Sequence, residues 1–403
     1  MKTAPNPLRI LATAYDYRPC LGGIATLGHE ALKALSSFSD VQVRLLAPQM
    51  NGDNECDQTS PFEIRRLPMG PGVPRAVWSF YQGLNEEIRI WKPHAILNFL
   101  WIPEGISSYF SAGEQRKHGI PYFVYAHGLE VLESKLSWKR RLRNGLRPLK
   151  YAVFKNASAI FVNSRYTQNL IAQKCQTPLD QIHVVNPAVD PATFQPGGRA
   201  PDLVEKYGLH GKKVFLTVTR LDPYKGIDQT ILALKSVVQK HPEVIYLVCG
   251  EGRDQARLEA MIQENGLRSH VRMSGRIPFN RISDYYNLCD AYVMLSREHI
   301  DPPDVEGFGI VFLEAAACEK PSIAGHSGGV PDAVENGKTG WLVPPTQSDQ
   351  IARTLLEVLE NPDEVTRRGR LARERVLSYF TWQRMAQQFR ELIRASLCDR
   401  VIK

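Results

Sequence analysis

The chain has no apolar run approaching the roughly eighteen residues that cross a bilayer, which excludes a membrane-spanning helix as its organising element. It has no Gly-x-Gly-x-x-Gly fingerprint, so a bound dinucleotide such as NAD is disfavoured. It has no Gly-x-x-x-x-Gly-Lys-Ser/Thr phosphate loop either. Asp-x-Asp pairs and His/Cys clusters are missing, so the ligands of a metal-assisted mechanism are not there, and no metal or other cofactor is expected. The seven cysteines (Cys20, Cys56, Cys175, Cys249, Cys289, Cys318, Cys398) are odd in number, scattered, and contain no Cys-x-x-Cys. That pattern argues for reduced thiols and against a disulfide or zinc framework. The N-terminal run MKTAPNPLRILATAYD is too short in apolar residues for a signal peptide and leads straight into a strand. A cytoplasmic protein is the expectation.

What remains is ordinary for a globular chain: 403 residues, 43% hydrophobic and 23% charged, long enough for two or three domains. The net charge of +8 is uneven. Between Ser134 and Ser158 stand Lys135, Lys139, Arg140, Arg141, Arg143, Arg147, Lys150 and Lys155, and no acid. Leu136, Trp138, Leu142, Leu146, Leu149 and Val153 recur among them at helical spacing, which makes the stretch basic and amphipathic. Two readings stay open. Residues 134–158 can make peripheral contact with the inner, anionic face of a membrane, or they form a solvated helix packed on its own domain. No nucleic-acid motif accompanies the charge, so nucleic acid is not an expected partner.

Strand and helix signals alternate in two successive runs. LRILATAY, VQVRLLAP, AILNFLWI, YFVYAHG and ASAIFVNS read as strands of the first run, with GIATLGHEALKAL a helix. After the Pro- and Gly-rich stretch Asn186–Gly198, VFLTVTR, VIYLVCG, VRMSG, AYVMLS and PSIAG read as strands of the second. DQTILALKSVVQKH, DQARLEAMIQENG and ISDYYNLC are the helices between them. Continuous apolar strands alternating with amphipathic helices imply parallel sheets covered on both faces. The fold class expected is therefore α/β, with two Rossmann-like doubly wound parallel-sheet domains facing across a cleft. The domains expected are residues 1–195 and 196–381, and a last helical run from Trp382 to Leu397 is long enough to cross between them.

Open parallel sheets bind ligands at the C-terminal ends of their strands. Candidate residues fall there repeatedly. In Glu306-Gly-Phe-Gly-Ile-Val-Phe-Leu-Glu314, Gly307 and Gly309 let a ligand approach the backbone, and a helix starting at Ile310 directs its first N–H groups toward an anion. Glu306 and Glu314 flank that cradle, which suits a ligand with phosphate at one end and hydroxyls on either side. A nucleotide-sugar has that shape. The plain alternative is a well-capped helix start. Arg220 and Lys225, with Gly226 opening the next helix, can neutralise a diphosphate, Arg as a fork and Lys as a point charge. Gly22-Gly23 is a flexible turn before the first helix, and His127-Gly128 ends a strand where the imidazole can reach a hydroxyl. Gly250 in Cys-Gly-Glu-Gly252, Arg276-Ile277 after Gly275, and Ser327-Gly-Gly-Val-Pro331 complete the set.

Together these motifs resemble the retaining glycosyltransferases of family four, which have the GT-B fold and belong to the group 1 type. The resemblance covers nearly the whole chain and is strongest from Val214 to Val343. It implies that Arg220 and Lys225 hold the donor's diphosphate and stabilise the leaving group. It gives Glu314 the ribose hydroxyls, and Glu306 with the amides of Phe308, Gly309 and Ile310 the donor sugar. It places Gly23 by the pyrophosphate, Arg276 and Ile277 at the base, and His127 by the donor sugar near the reacting carbon. The C-terminal helix, about 382–403, is expected to return to the N-terminal domain, which binds the acceptor. Metal-independent transfer of a hexose from a UDP- or GDP-sugar, with retention, is the implied reaction. A glycan, lipid-linked sugar or glycolipid hydroxyl is the implied acceptor. One departure is the stretch His299-Ile300-Asp301-Pro302-Pro303-Asp304, which enlarges the loop before Glu306 and can shape the donor pocket or close over it. Two other readings remain: a nucleotide-sugar epimerase of the same architecture, and a non-catalytic protein that binds nucleotide-sugar or membrane.

Overall fold

The structure, a computed structural model, describes residues 7–20, 22–128, 132, 145–300 and 303–401. Residues 134–144 of the basic stretch, and Asp301 and Pro302, lie outside them. The chain divides into two compact units, Met1–Pro187 with Trp382–Lys403, and Ala188–Thr381. Composition had put the boundary at 195. The stretch before it belongs to the second unit: Val189 and Phe194 are buried in that unit's core, and the Val189 N–H donates to the Phe380 carbonyl at 3.0 Å.

In the first unit seven strands form one parallel sheet: β1 (Leu8–Thr13), β2 (Val41–Pro48), β3 (Glu63–Leu67), β4 (Ala95–Asn98), β5 (Tyr122–Ala126), β6 (Ala159–Val162) and β7 (Ile182–Val184). Their order is β3-β2-β1-β4-β5-β6-β7. β4, β5 and β6 are buried along their whole length, so each reads as an unbroken apolar run. The sequence expectation carried the β4 strand on through Phe99–Ile102. The chain instead leaves the sheet after Asn98 and kinks over Trp101–Gly105, where Ile102 is extended. β3 has the sequence Glu-Ile-Arg-Arg-Leu and lies at the sheet edge, where one side meets solvent; charge there conceals a strand from an apolar-run reading.

The helix Trp382–Val401 packs on this first sheet. Phe389 is fully buried, its ring 5.0 Å from that of Phe161 and 6.0 Å from that of Tyr125. Arg390 and Arg394 both pair with Asp40. The described half of the basic stretch forms the helix Arg147–Asn156. Its apolar side turns inward: Val153 and Phe154 are buried, and Leu146 and Leu149 pack against the same core. Lys150 is buried as well, its ammonium 5.7 Å over the Trp101 ring. Arg147 and Lys155 stay exposed.

The second unit has a six-stranded parallel sheet: β8 (Lys213–Val218), β9 (Val244–Cys249), β10 (Val271–Gly275), β11 (Ala291–Met294), β14 (Ser322–Gly325) and β15 (Gly340–Val343). The order is β10-β9-β8-β11-β14-β15. Two short strands, β12 (His299–Ile300) and β13 (Pro303–Asp304), pair antiparallel between β11 and the turn at Glu306. Separate apolar clusters fill the two faces of the large sheet, one around Leu216, Leu247 and Phe312, the other around Phe215, Tyr246 and Ile323. From β8 the chain winds outward to β9 and β10, then returns to β11 on the other side. The crevice between β8 and β11 is the topological switch point, where doubly wound sheets place their ligands.

Candidate active site

Both loops at that switch point carry charge. After β8 the chain makes a short 3-10 turn at Pro223–Lys225 and enters the helix Ile227–Lys240 through Gly226. Gly226 has φ +74°, and a Cβ there would sit 1.9 Å from the Leu295 carbonyl oxygen, so only glycine lets the two loops touch. That contact brings Lys225 to Glu306, with Nζ 2.5 Å from Oε2. Both side chains are mostly buried, 10% and 14% exposed. The ammonium also lies 4.7 Å over the Tyr224 ring. Burial works against the lysine's charge, but Glu306 and Tyr224 together hold its pKa above the usual value. The lysine is therefore a fixed cation at neutral pH.

Arg220 is the exposed cation of this loop. Its side chain is 76% exposed and makes a loose 3.4 Å contact with Asp222. Gly250, with φ +138°, lies where a Cβ would meet the Thr219 carbonyl oxygen at 1.8 Å, and its N–H donates to Gly275 O. The Leu221 N–H reaches Glu251 O, which welds the β8 and β9 loops together at 3.0 Å. At the end of β10, Arg276 is exposed and Ile277 is half-buried against the core.

Gly307 follows Glu306, and the buried Phe308 packs on Phe380, with ring centroids 5.8 Å apart. Gly309 takes φ +94° and caps the helix Ile310–Ala317, whose first residue, Ile310, is half-buried. The amides of Ile310 and Val311 begin this helix, and the Phe312 N–H is tied back to Gly309 O. Glu314 is half-buried and accepts a 2.6 Å hydrogen bond from the Tyr286 hydroxyl. Burial pushes its carboxyl up to about 7, partly opposed by Tyr286. The β14 loop closes on the same place: the Gly329 N–H donates to the Glu306 carbonyl at 2.8 Å, and the Ser327 hydroxyl is buried without a hydrogen-bond partner. One crevice thus brings together a buried cation, an exposed arginine, a helix start and two carboxylates. It can neutralise a diphosphate while accepting hydrogen bonds from hydroxyls.

The other sequence candidates lie in the first unit. Gly22 precedes the helix Gly23–Ser36, and neither Gly22 nor Gly23 has any atom within 4 Å of where a Cβ would stand. Packing inside the protein does not require glycine at Gly23. His127 follows β5, with Nε2 3.1 Å from the Phe99 carbonyl and its ring 5.0 Å from that of Tyr125. Glu104, in the kinked stretch after β4, was not singled out from sequence. It is fully buried, accepts the Tyr15 N–H at 2.6 Å through Oε1, and leaves Oε2 without a partner. Burial raises its pKa to about 8, against the pull of the Tyr15 N–H, so it is neutral at pH 7. Tyr224, Tyr286, Asp222 and Arg253 were missed as well. Tyr286 and Arg253 meet Glu314 and Asp222 across elements far apart in sequence, whereas Tyr224 and Asp222 stand beside Lys225 and Arg220 in one loop with no distinguishing signal of their own.

Among the described residues no three His, Cys, Asp or Glu side chains group as metal ligands, and no helix is long and apolar enough to cross a membrane. A sequence profile described as glycosyltransferase family 4 matches residues 21–193, and one described as glycosyl transferases group 1 matches residues 201–375. A GDP-mannose-dependent alpha-(1-6)-phosphatidylinositol monomannoside mannosyltransferase of Mycobacterium tuberculosis is 26% identical over 397 residues, covering 96% of this chain and 98% of that one. The enzyme of the same name from Mycolicibacterium smegmatis is 32% identical over 239 residues, or 59% of this chain and 62% of its own length. Among solved structures, sucrose-phosphate synthase from Thermosynechococcus elongatus superposes with a TM-score of 0.78 at 22% identity, covering 97% of this chain and 99% of that one. Anabaena HepE in complex with UDP and glucose does so with a TM-score of 0.72 at 19% identity, covering 96% and 99%.

Proposed function

This chain belongs to the family-four, group 1 glycosyltransferases of GT-B fold, and from that premise we propose that it moves a hexose, with retention, from a nucleoside-diphosphate sugar to a hydroxyl acceptor. The observation that carries the reading is the buried Lys225–Glu306 pair at the switch point, with Arg220 and Glu314 close in sequence to its two ends. Lys225 and Arg220 counter the charge that grows on the departing diphosphate as the glycosidic bond breaks. Glu306 and the amides of Phe308, Gly309 and Ile310 hold the sugar, while Glu314 accepts the ribose hydroxyls. Arg276 and Ile277 border the base. The acceptor oxygen attacks on the face the diphosphate leaves, and its proton passes to a phosphate oxygen. Two cations doing the work of a metal make the reaction metal-independent. The relatives' names favour GDP-mannose as donor and a glycolipid as acceptor. Contact with an anionic membrane is part of this reading, supported by the exposed Arg147 and Lys155 of the basic stretch. Liposome co-sedimentation with and without Arg140, Arg141 and Arg143 changed to Ser tests it.

The central experiment is a thermal-shift panel of nucleoside diphosphates and their sugars, followed by NMR of the product formed from the stabilising donor. Retention at the anomeric carbon on an added acceptor is expected. Conversion of the donor without acceptor would indicate an epimerase, and binding without turnover a non-catalytic protein.

A further inference from the structure

One ion-paired residue at the switch point, Arg253, is given no part in the reaction described above. Arg253, just past Gly252, stands between two carboxylates: its Nε is 2.9 Å from Asp222 Oδ1, and its Nη2 is 3.3 Å from Asp304 Oδ2. The two acids are mostly buried, at 14% and 15% side-chain exposure, while the arginine is 54% exposed. Asp222 is shared with Arg220 at 3.4 Å. The other end of the same segment is tied down separately. Arg297 makes two 2.8 Å bonds to Asp228, at the start of the helix Ile227–Lys240, and its N–H donates to the Tyr224 carbonyl at 2.8 Å.

The chain between β11 and Glu306 is therefore anchored at both ends to the elements that carry Arg220 and Lys225. Glu306 follows Asp304 by two residues, and its carbonyl and carboxylate are already engaged by Gly329 and Lys225. A bridge through a half-exposed arginine adds little to stability, and what it fixes is where Asp304 stands. The arginine fork reaches the two acids through separate nitrogens, Nε and Nη2, whereas a lysine would have to share one compact ammonium between them. A displacement of about 1 Å at the residue that grips a sugar alters discrimination between hexoses that differ at one carbon. The diphosphate is gripped elsewhere, by Arg220 and Lys225, and cutting the bridge at Asp304 removes neither the Arg220–Asp222 contact nor the Lys225–Glu306 pair.

We propose that Arg253, by bridging Asp222 and Asp304, positions the segment entering Glu306 and so sets which hexose the site accepts. The inference rests on the donor-sugar role given to Glu306 above. The test uses full-length Asp304→Asn, Arg253→Lys and the double variant. Calorimetry measures their affinity for the nucleoside diphosphate alone and for two nucleoside-diphosphate hexoses epimeric at C2, gluco and manno. Affinity for the diphosphate stays within about twofold of wild type, while the ratio between the two hexose donors moves toward one by about fivefold or more. The double variant is no worse than either single one, because both remove the same bridge. An unchanged ratio in folded variants, or a parallel loss of diphosphate and both donors, overturns the proposal. A wild-type protein that binds neither hexose donor overturns the proposed function and this inference with it, which separates the two failures.

Discussion

Burial works against the charge of Lys225, and Glu306 and Tyr224 more than offset it. Removing the lysine leaves a nearly buried carboxylate without its counter-ion. Lys225→Met should lower stability by about 3 kcal/mol and kcat/KM by on the order of a hundredfold or more. Adding Glu306→Gln should return much of the stability and none of the activity, which urea unfolding and initial rates can check side by side. Glu314 has the opposite balance. Its carboxyl is raised from 4.5 to about 7, so folding favours the neutral acid. The stability this group contributes is fully present below about 4.5 and is lost as pH rises through about 7. Ribose hydroxyls are better accepted by the ionised form, so nucleotide affinity should rise over the interval in which that stability falls. Glu314→Gln should flatten both curves, as followed by melting temperature and nucleotide titration between pH 5 and 8. A wild-type titration with no inflection near neutrality would remove Glu314 from the ribose.

Two glycines at loop–helix junctions show how an element can be constrained from inside or from outside. Gly226 has φ +74° and Leu295 O at 1.9 Å from its would-be Cβ, so Gly226→Ala should cost more than about 3 kcal/mol and lose activity with the fold. Gly23 opens the helix Gly23–Ser36 with empty space around it, so Gly23→Ala should change stability by less than about 0.5 kcal/mol. A fall in donor kcat/KM of about tenfold in that stable variant is the expected mark of a backbone approached by ligand. If the variant transfers sugar at the wild-type rate, glycine there is only a turn residue. The helix Arg147–Asn156 shows how a neighbouring surface takes up an element's apolar side while its exposed cations, Arg147 and Lys155, stay outside. Its basic, amphipathic pattern fits a lipid-facing helix, yet Leu146, Leu149 and Val153 go to the protein core. Periodicity identifies an apolar side and does not say what covers it.

At the scale of the molecule the chain order and the folded units differ. Ala188–Thr381 is continuous and carries two apolar clusters of its own, whereas the first unit needs Trp382–Lys403 to complete its core. A chain ending at Thr381 should therefore keep the second unit folded while the first loses stability, seen as two melting transitions in place of a cooperative one. Thermal shift by nucleoside diphosphate should survive in the second transition. Much of this architecture was legible beforehand, because fully buried strands such as β4 to β6 are apolar runs in any context. The charged edge strand β3 and the kink after Asn98 were not, since sheet position and local chain departure are decided by neighbours. The same division holds at the site. Sequence by itself determined the residue types that suit a nucleotide-sugar: Arg220, Lys225, Glu306 and Glu314 stand beside glycines at strand ends, where short-range spacing already implies a loop before a helix. Only tertiary structure decided their partners. Lys225 and Glu306 are 81 residues apart, Tyr286 and Glu314 28, and Arg253 and Asp304 51. Those encounters depend on sheet order and on which loops meet at the switch point, and that is why the partners of each side chain were not written in its own neighbourhood.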